Sequence, residues 1–379
     1  MKFEKLKNIV EVKKGKKPSF VEYPDENSIR VLQIDDLRND SNPKFTNDKT
    51  GVLAKEDDVL IAWDGANAGT IGYGKLGYIG STIALLRKKQ PDLYSTNFIG
   101  IFLQSQYQYL RSKTTGATIP HISRKALDDL EVPVISVNDQ LHIASILSKA
   151  ENLIAQRKES IRLLDEFLKS TFLEMFGDPV RNEKGWETCN LSELGSLDRG
   201  VSKARPRNSP ELLGGKYPLI QTGDVTNSGV FITSFKQTYS ELGLKQSKLW
   251  PKGTMLITIA ANIAQTSILS FDACFPDSVV GFVTNEKRAH VLYVHFLFKF
   301  FQALLENRAS QTAQKNINLE ILRNLKVPCP PITLQTQFAL IVEKTEALKS
   351  QYQQSLQELD NLYGSLSQKA FRGELLSEQ

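Results

Sequence analysis

The residue types able to do chemistry are few and scattered in this chain. The four histidines, His121, His142, His290 and His295, show no pairing or ligand-like spacing. The three cysteines, Cys189, Cys274 and Cys329, lack the paired spacing of a zinc site and cannot all pair, which suggests reduced thiols. The sequence has no G-x-x-x-x-G-K-[ST], no H-E-x-x-H and no Asn/Asp-Pro-Pro-aromatic of the kind adenine methyltransferases use; its only Pro-Pro is Pro330-Pro331. Gly72-Tyr73-Gly74-Lys75-Leu76-Gly77 fits G-x-G-x-x-G, but strand-like Tyr78 to Ala84 follows it, not a helix whose N-terminus could face a pyrophosphate. A hairpin turn is the expected structure there. The acidic pairs Asp35-Asp36, Asp57-Asp58 and Asp128-Asp129 fall at turns, where short carboxylates bond nearby amides. No constellation looks catalytic, which leaves binding.

The charge pattern suits a polyanionic ligand. Lys and Arg outnumber Asp and Glu by 20 to 17 in residues 1–135 and by 18 to 13 in 178–330, but fall behind, 5 to 6 and 4 to 6, in 136–177 and 331–379. Positive charge therefore concentrates in two stretches of ordinary globular composition. Each has a basic, Gly- and Pro-containing turn after its first strand: Lys13-Lys14-Gly15-Lys16-Lys17-Pro18 in one, Gly200 with Lys203, Arg205, Pro206 and Arg207 in the other. Each also has a polar loop further on, Lys113 to Ile122 and Arg308 to Ile317, the second dense in amide and guanidinium groups.

The elements that must hold these loops occur twice. A gapless shift of 195 positions lays Ile122, Pro133, Gln140, Glu151, Asp165 and Phe176 over Ile317, Pro328, Gln335, Glu346, Asp360 and Phe371. That period is far too long for a solenoid, so it marks a duplicated unit. Its conserved part begins at Ser136 and Asp139, a capping-box-like start, and runs unbroken to Gly177-Asp178-Pro179, a helix stop. A single long helix is expected over 136–177, and its duplicate over 331–379. Apolar heptads mark a seam through Ile143, Leu147, Ile154, Ile161, Leu164 and Leu168 in the first, and through Phe338, Val342, Tyr352, Leu356, Leu359 and Leu366 in the second. Such a stripe needs cover. Packing on the adjacent globular unit would supply it, as would an antiparallel pair of the two helices, the arrangement we expect.

The runs Val59 to Trp63, Ile79 to Leu86, Thr254 to Ile259 and Ser278 to Val283 read as strands, and Thr96 to Ser112 and Leu292 to Asn307 as helices. The expected fold is α+β: two mixed units at 1–135 and 178–330, each with a largely antiparallel or barrel-like sheet, joined by two long helices in an internal pseudo-two-fold repeat. No apolar run approaches membrane-spanning length, and the start MKFEKLKNIVEVKKGKKP lacks a signal-peptide core, which argues for the cytoplasm. Two basic units on a spacer would engage two places on one long ligand, and DNA fits that description.

Globular unit, long helix, globular unit, long helix, with Val132-Pro133 and Val327-Pro328 before the helices and Gln140 or Gln335 in their first turns, resembles the specificity subunit of type I restriction-modification systems. The resemblance covers essentially the whole chain. It implies two target-recognition domains, each reading one half of a split site in double-stranded DNA, and an antiparallel helical spacer that fixes the gap. It also implies a non-catalytic subunit with no cofactor of its own. Two modification subunits would bring S-adenosylmethionine and flip out an adenine for N6 methylation, and restriction subunits would use ATP and Mg to cleave DNA. The DNA contacts expected are Lys16, Lys17, Lys113, Thr118 and His121 in the first domain. In the second they are Arg205, Arg207, Gln311, Gln314, Lys315 and Asn316. A coiled-coil scaffolding protein that reads no DNA is the alternative.

Overall fold

The computed structural model describes residues 2–39, 42–116, 118–207, 209–260, 262–310 and 317–375. It divides into two compact units, one made of Met1–Lys158 with Gln354–Gln379, the other of Glu159–Gln353. Among the described residues no helix is long and apolar enough to cross a membrane.

The first unit contains β1 (Lys2–Lys5), β2 (Val10–Lys14), β3 (Ile29–Leu32), β4 (Lys44–Thr46), β5 (Leu53–Ala54), β6 (Val59–Ala62), β7 (Ile71–Tyr73), β8 (Gly77–Ile79), β9 (Ile83–Lys88) and β10 (Glu131–Val134). They form sheets ordered β2-β9-β6-β7 and β4-β3-β8-β5 and a ribbon β1-β10, antiparallel apart from the β3/β8 pair. The second unit contains β11 (Thr188–Asn190), β12 (Gly195–Arg199), β13 (Leu213–Leu219), β14 (Phe231–Ile232), β15 (Gln237–Tyr239), β16 (Met255–Thr258), β17 (Thr266–Leu269), β18 (Val279–Thr284) and β19 (Lys326–Pro328). Its main sheet, β12-β18-β16-β17-β14, repeats the first order, with a second pair β13-β15 and a ribbon β11-β19. The register repeats as well: Val59 faces Leu86 in one sheet and Met255 faces Phe282 in the other, each 196 positions on.

Several sequence expectations need correction. The run Ile79 to Leu86 is two strands in different sheets, because Gly80 turns the chain and bonds Ile83 N–H to its own carbonyl at 3.0 Å. The Gly72 to Gly77 stretch is not a hairpin, since β7 pairs with β6 and β8 with β3 and β5. The helix expected over Thr96 to Ser112 is two helices, Thr96–Ser105 and Tyr107–Ser112, because Gln106 leaves helical geometry at ψ 5°. The last globular helix extends over Val291–Ser310, so it takes in the first residues of the polar loop expected from Arg308. Finally, Cys189 and Cys329 form a disulfide and only Cys274 is a free thiol. The antiparallel β11/β19 register sets Cys189 opposite Val327, so Cys329, two residues on, presents its side chain on the same face.

The two long helices span Val137–Phe176 and Ile332–Arg372. At the start of the first, Ser136 Oγ accepts from the Asp139 amide at 3.1 Å and donates to its carboxylate at 2.6 Å. Each helix stops at a glycine in the left-handed region, Gly177 at φ 76° and Gly373 at φ 81°, conformations that a side chain would strain. Each helix also contributes to the core of both units. In the first, Ile143, Ala144, Leu147 and Ala370 are buried in one cluster and the Phe371 ring lies 5.8 Å from Phe98. In the second, Leu168, Phe172, Phe338 and Val342 are buried together and the Phe176 ring lies 4.9 Å from Tyr293. Phe98 and Tyr293, like Phe371 and Phe176, are 195 positions apart, so the same aromatic anchor recurs in each unit. Polar contacts add to these, Tyr363 to Glu151 at 2.6 Å in the first unit and Lys349 to Asp165 at 2.5 Å in the second. Each pairs a residue late in one helix with one early or midway in the other, so the helices run in opposite directions within each unit.

The expected seam is thus of two kinds. Ile143, Leu147, Leu168, Phe338 and Val342 are buried in the globular cores, whereas Ile154, Ile161, Leu164, Tyr352, Leu356, Leu359 and Leu366 are half-buried. The globular cores cover the buried set, and Leu366 also packs against the core of the first unit.

Candidate nucleic-acid interface

The basic turns lie at one end of each main sheet. In the first unit, β2 ends at Lys14, paired with Ala84, and the Gly15 amide bonds Ile83 O at 2.9 Å. The chain then turns outward through Lys16 and Lys17, both exposed; Lys16 Nζ reaches Thr50 O at 3.4 Å. The polar loop returns to the same sheet end. Ile122 N–H bonds Trp63 O at 2.9 Å, Gly65 N–H bonds Pro120 O at 2.9 Å, and Thr115 and His121 exchange two backbone bonds of 2.9 and 2.8 Å. Thr118 is exposed within the loop so closed, and Lys113 is exposed just before it. His121 Nδ1 lies 2.6 Å from Asp64 Oδ1, and Lys14 Nζ lies 2.7 Å from Asp64 Oδ2.

The second unit repeats the backbone frame with other side chains. β12 ends at Arg199, paired with Val280, and Ile317 N–H bonds Ile259 O at 3.0 Å, the counterpart of Ile122 on Trp63. After β12 the chain carries Arg205 and Arg207. Arg207 Nη2 lies 2.7 and 2.9 Å from the two oxygens of Asp277, and Arg205 Nη2 lies 3.8 Å from the same carboxylate while its Nη1 donates to Ser202 O at 2.7 Å. Both guanidinium groups stay largely exposed. Gln311, Gln314, Lys315 and Asn316 lie outside the described residues.

The structure therefore brings His121 to the basic turn of the first unit and joins Arg205 to Arg207 in the second. Sequence reasoning missed the carboxylates that organise these groups, Asp64 and Asp277, and it missed Lys14. Lys14 had a signal, since it stands in the same basic turn as Lys16; the carboxylates had none, because their partners are distant in sequence.

It missed the role of Gln140 and Gln335 too. Gln140 is fully buried: its Oε1 accepts from the Ser95 amide at 2.8 Å, and its Nε2 donates to Leu93 O at 2.9 Å and Ile135 O at 3.1 Å. Gln335 makes the same bonds 195 positions on, to His290 N at 2.9 Å, Arg288 O at 3.3 Å and Pro330 O at 2.8 Å. Each glutamine ties the first turns of a long helix to the loop before a globular helix.

Acidic turn residues are structural as well. Asp36 accepts from Arg30 at 2.9 Å and the Gln33 amide at 2.7 Å; Asp58 accepts from the Lys55 amide at 2.9 Å and Arg87 Nε at 2.8 Å. Away from the basic ends, the second unit has a cavity of ≈ 590 Å³ beside the helices, lined by Asp165, Lys169, Phe296, Lys299 and Phe300 among others. Burial lowers the Lys299 pKa and raises that of nearby Glu346, and it drives buried His295 well below its ordinary value.

Comparison with known proteins matches this architecture over both units. The family model for the type I restriction modification DNA specificity domain matches residues 1–163 and again 183–360. The chain is 26% identical over 362 residues to the type I restriction enzyme MjaVIII specificity subunit of Methanocaldococcus jannaschii, covering 86% of this chain and 81% of that protein. It is 21% identical over 361 residues to the EcoBI specificity subunit of Escherichia coli, covering 86% and 76%. The crystal structure of a type I restriction-modification S subunit from M. genitalium matches with a TM-score of 0.62 at 18% identity, covering 98% of this chain and 96% of that one, which establishes the likeness of fold. With both of its units matched by one domain model, the chain belongs to the type I restriction modification DNA specificity family.

Proposed function

We propose that this chain is the sequence-reading subunit of a type I restriction-modification complex, with target-recognition domains at 1–135 and 178–330 that each read one half of a split DNA site. The observation that carries the reading is the repeated sheet end, which presents basic and polar side chains in both units on one backbone frame but with different residues in each. Equal frames with unequal side chains suit two half-sites of unequal sequence, since phosphate contacts position and base contacts specify. The helices at 136–177 and 331–379 act as an antiparallel spacer, arranged with pseudo-two-fold symmetry, that sets the gap between the halves and docks two modification subunits.

The chain itself is non-catalytic. S-adenosylmethionine belongs to the modification subunits, and ATP and Mg to the restriction subunits. A solved chain from work on complex assembly of the type I R-M system is similar in fold, with a TM-score of 0.56, which supports assembly of this kind. The scaffolding alternative is not favoured, because the family model spans the globular units and not the helices alone.

A genome-wide map of N6-methyladenine, with the gene intact and disrupted, tests the function. Loss of one split motif modified on both strands is the expected result, and it would give both half-sites and their gap. An unchanged map from a host whose modification subunits are expressed would overturn the reading. Binding by the assembled complex should also weaken steeply with salt, since phosphate contacts release counterions; salt-independent binding would favour the scaffold.

A further inference from the structure

We propose that Asp64 is a positioning residue that holds His121 and Lys14 for one DNA half-site, an inference that rests on the DNA-reading function above. Asp64 sits just past the end of β6, with a side chain only 15% exposed, while Lys14 and His121 in front of it are 51% and 46% exposed. The carboxylate is the inner member of the cluster and its partners face solvent. Burial pushes its carboxyl up, but hydrogen bonds from Lys14 and His121 outweigh that and hold it below the usual carboxylate range.

An ionised carboxylate only accepts, so Nδ1 of His121 carries the proton and donates to Asp64. With Nδ1 committed to Asp64, Nε2 is the ring atom left for a base edge, and Lys14 offers a donor, matched to guanine O6/N7 or a phosphate. The backbone around His121 is fixed by four bonds, the Thr115 pair, Pro120 O to Gly65 N and Ile122 N to Trp63 O. With the backbone held and the ring tethered, little ordering remains to be done on binding.

The internal repeat separates framework from reading element. Framework residues recur, as Gln140 does in Gln335 with the same three bonds. The cluster does not recur. By strand register Lys14 corresponds to Arg199, Asp64 to Ala260 and, by the 195-residue shift, His121 to Asn316. The second unit instead gathers Arg205 and Arg207 on Asp277, from a different point of the sheet end. A solvent-facing cluster at the sheet end that one copy carries and the other replaces with different charged groups fits a role in what differs between the copies, the sequence read.

The test uses the full chain in complex with its modification subunits, and duplexes carrying the mapped site, the site altered in one half or the other, and a scrambled sequence. Asp64→Asn keeps the shape and removes the charge. We expect discrimination at one half-site to fall by about tenfold, discrimination at the other to stay unchanged, and affinity for scrambled DNA to stay level or rise, since an anion has been removed. His121→Ala, which cuts only an exposed ring, should lose discrimination at the same half. Equal loss at both halves, weaker binding to all DNA, or unchanged discrimination by both variants would overturn the inference. A parent complex that prefers no sequence would instead overturn the DNA-reading function itself.

Discussion

The paired glutamines give the most direct test of the duplicated framework. Replacing the fully buried Gln140 with Ala strands the Ser95 amide and removes a donor from the carbonyls of Leu93 and Ile135, bonds that are part-buried. A buried donor left without a partner costs roughly 1–3 kcal/mol, and two carbonyls losing a bond add about 1 kcal/mol more, for a total of about 3 kcal/mol. That is a large share of an ordinary domain's stability. Because the bonds are confined to the first unit, the damage should be confined there too. Hydrogen exchange under native conditions reads the units separately. In Gln140→Ala, protection of the slowest amides in β9 and the Thr96–Ser105 helix should fall by more than about a hundredfold, while β18 and the Val291–Ser310 helix hold theirs. Gln335→Ala should give the mirror image. A loss under about tenfold, or equal losses in both units from either variant, would refute the account of the glutamine as a unit-specific tie.

Three further outcomes follow from other features. Glu346→Gln should stabilise the protein more at about pH 8 than at about pH 4: a carboxyl whose folded pKa is raised by burial disfavours the fold only once it ionises, so its cost is absent in acid and complete above the folded pKa. Urea midpoints at both pH values check this, and an equal shift at the two would contradict it. In denaturant without reductant, one thiol, Cys274, should react, against three after reduction; three reactive thiols at the outset would remove the Cys189–Cys329 bond. Inserting residues into the helix at 136–177 should change the number of unspecified base pairs in the methylated motif and leave both half-sequences alone, because half-site spacing mirrors protein geometry. An unchanged gap would count against the spacer.

The sequence by itself determined the duplication, the two long helices, the stop of the first at Gly177, and the positive charge of the globular units. These are local or periodic properties: a heptad seam, a glycine stop and a constant shift of 195 are visible without knowing what touches what. The basic turn at Lys16 and Lys17 was legible for the same reason. The second helix, expected over 331–379, ends at Arg372 before Gly373 only in the structure. Only the tertiary structure decided which strands pair. The run from Ile79 to Leu86 is uniformly apolar, and apolarity cannot say that Gly80 sends its two parts to different sheets. The Cys189–Cys329 bond depended on the β11/β19 register, which brings together residues 140 positions apart. The candidate site divides in the same way. Exposed cations announce themselves by composition, whereas Asp64, a turn carboxylate like many others in the chain, acquires its role only because β2, β6 and the loop closed by Thr115 and His121 end at one place. Gln140 is the sharpest case: the repeat marks it as kept, and burial among three backbone groups explains why.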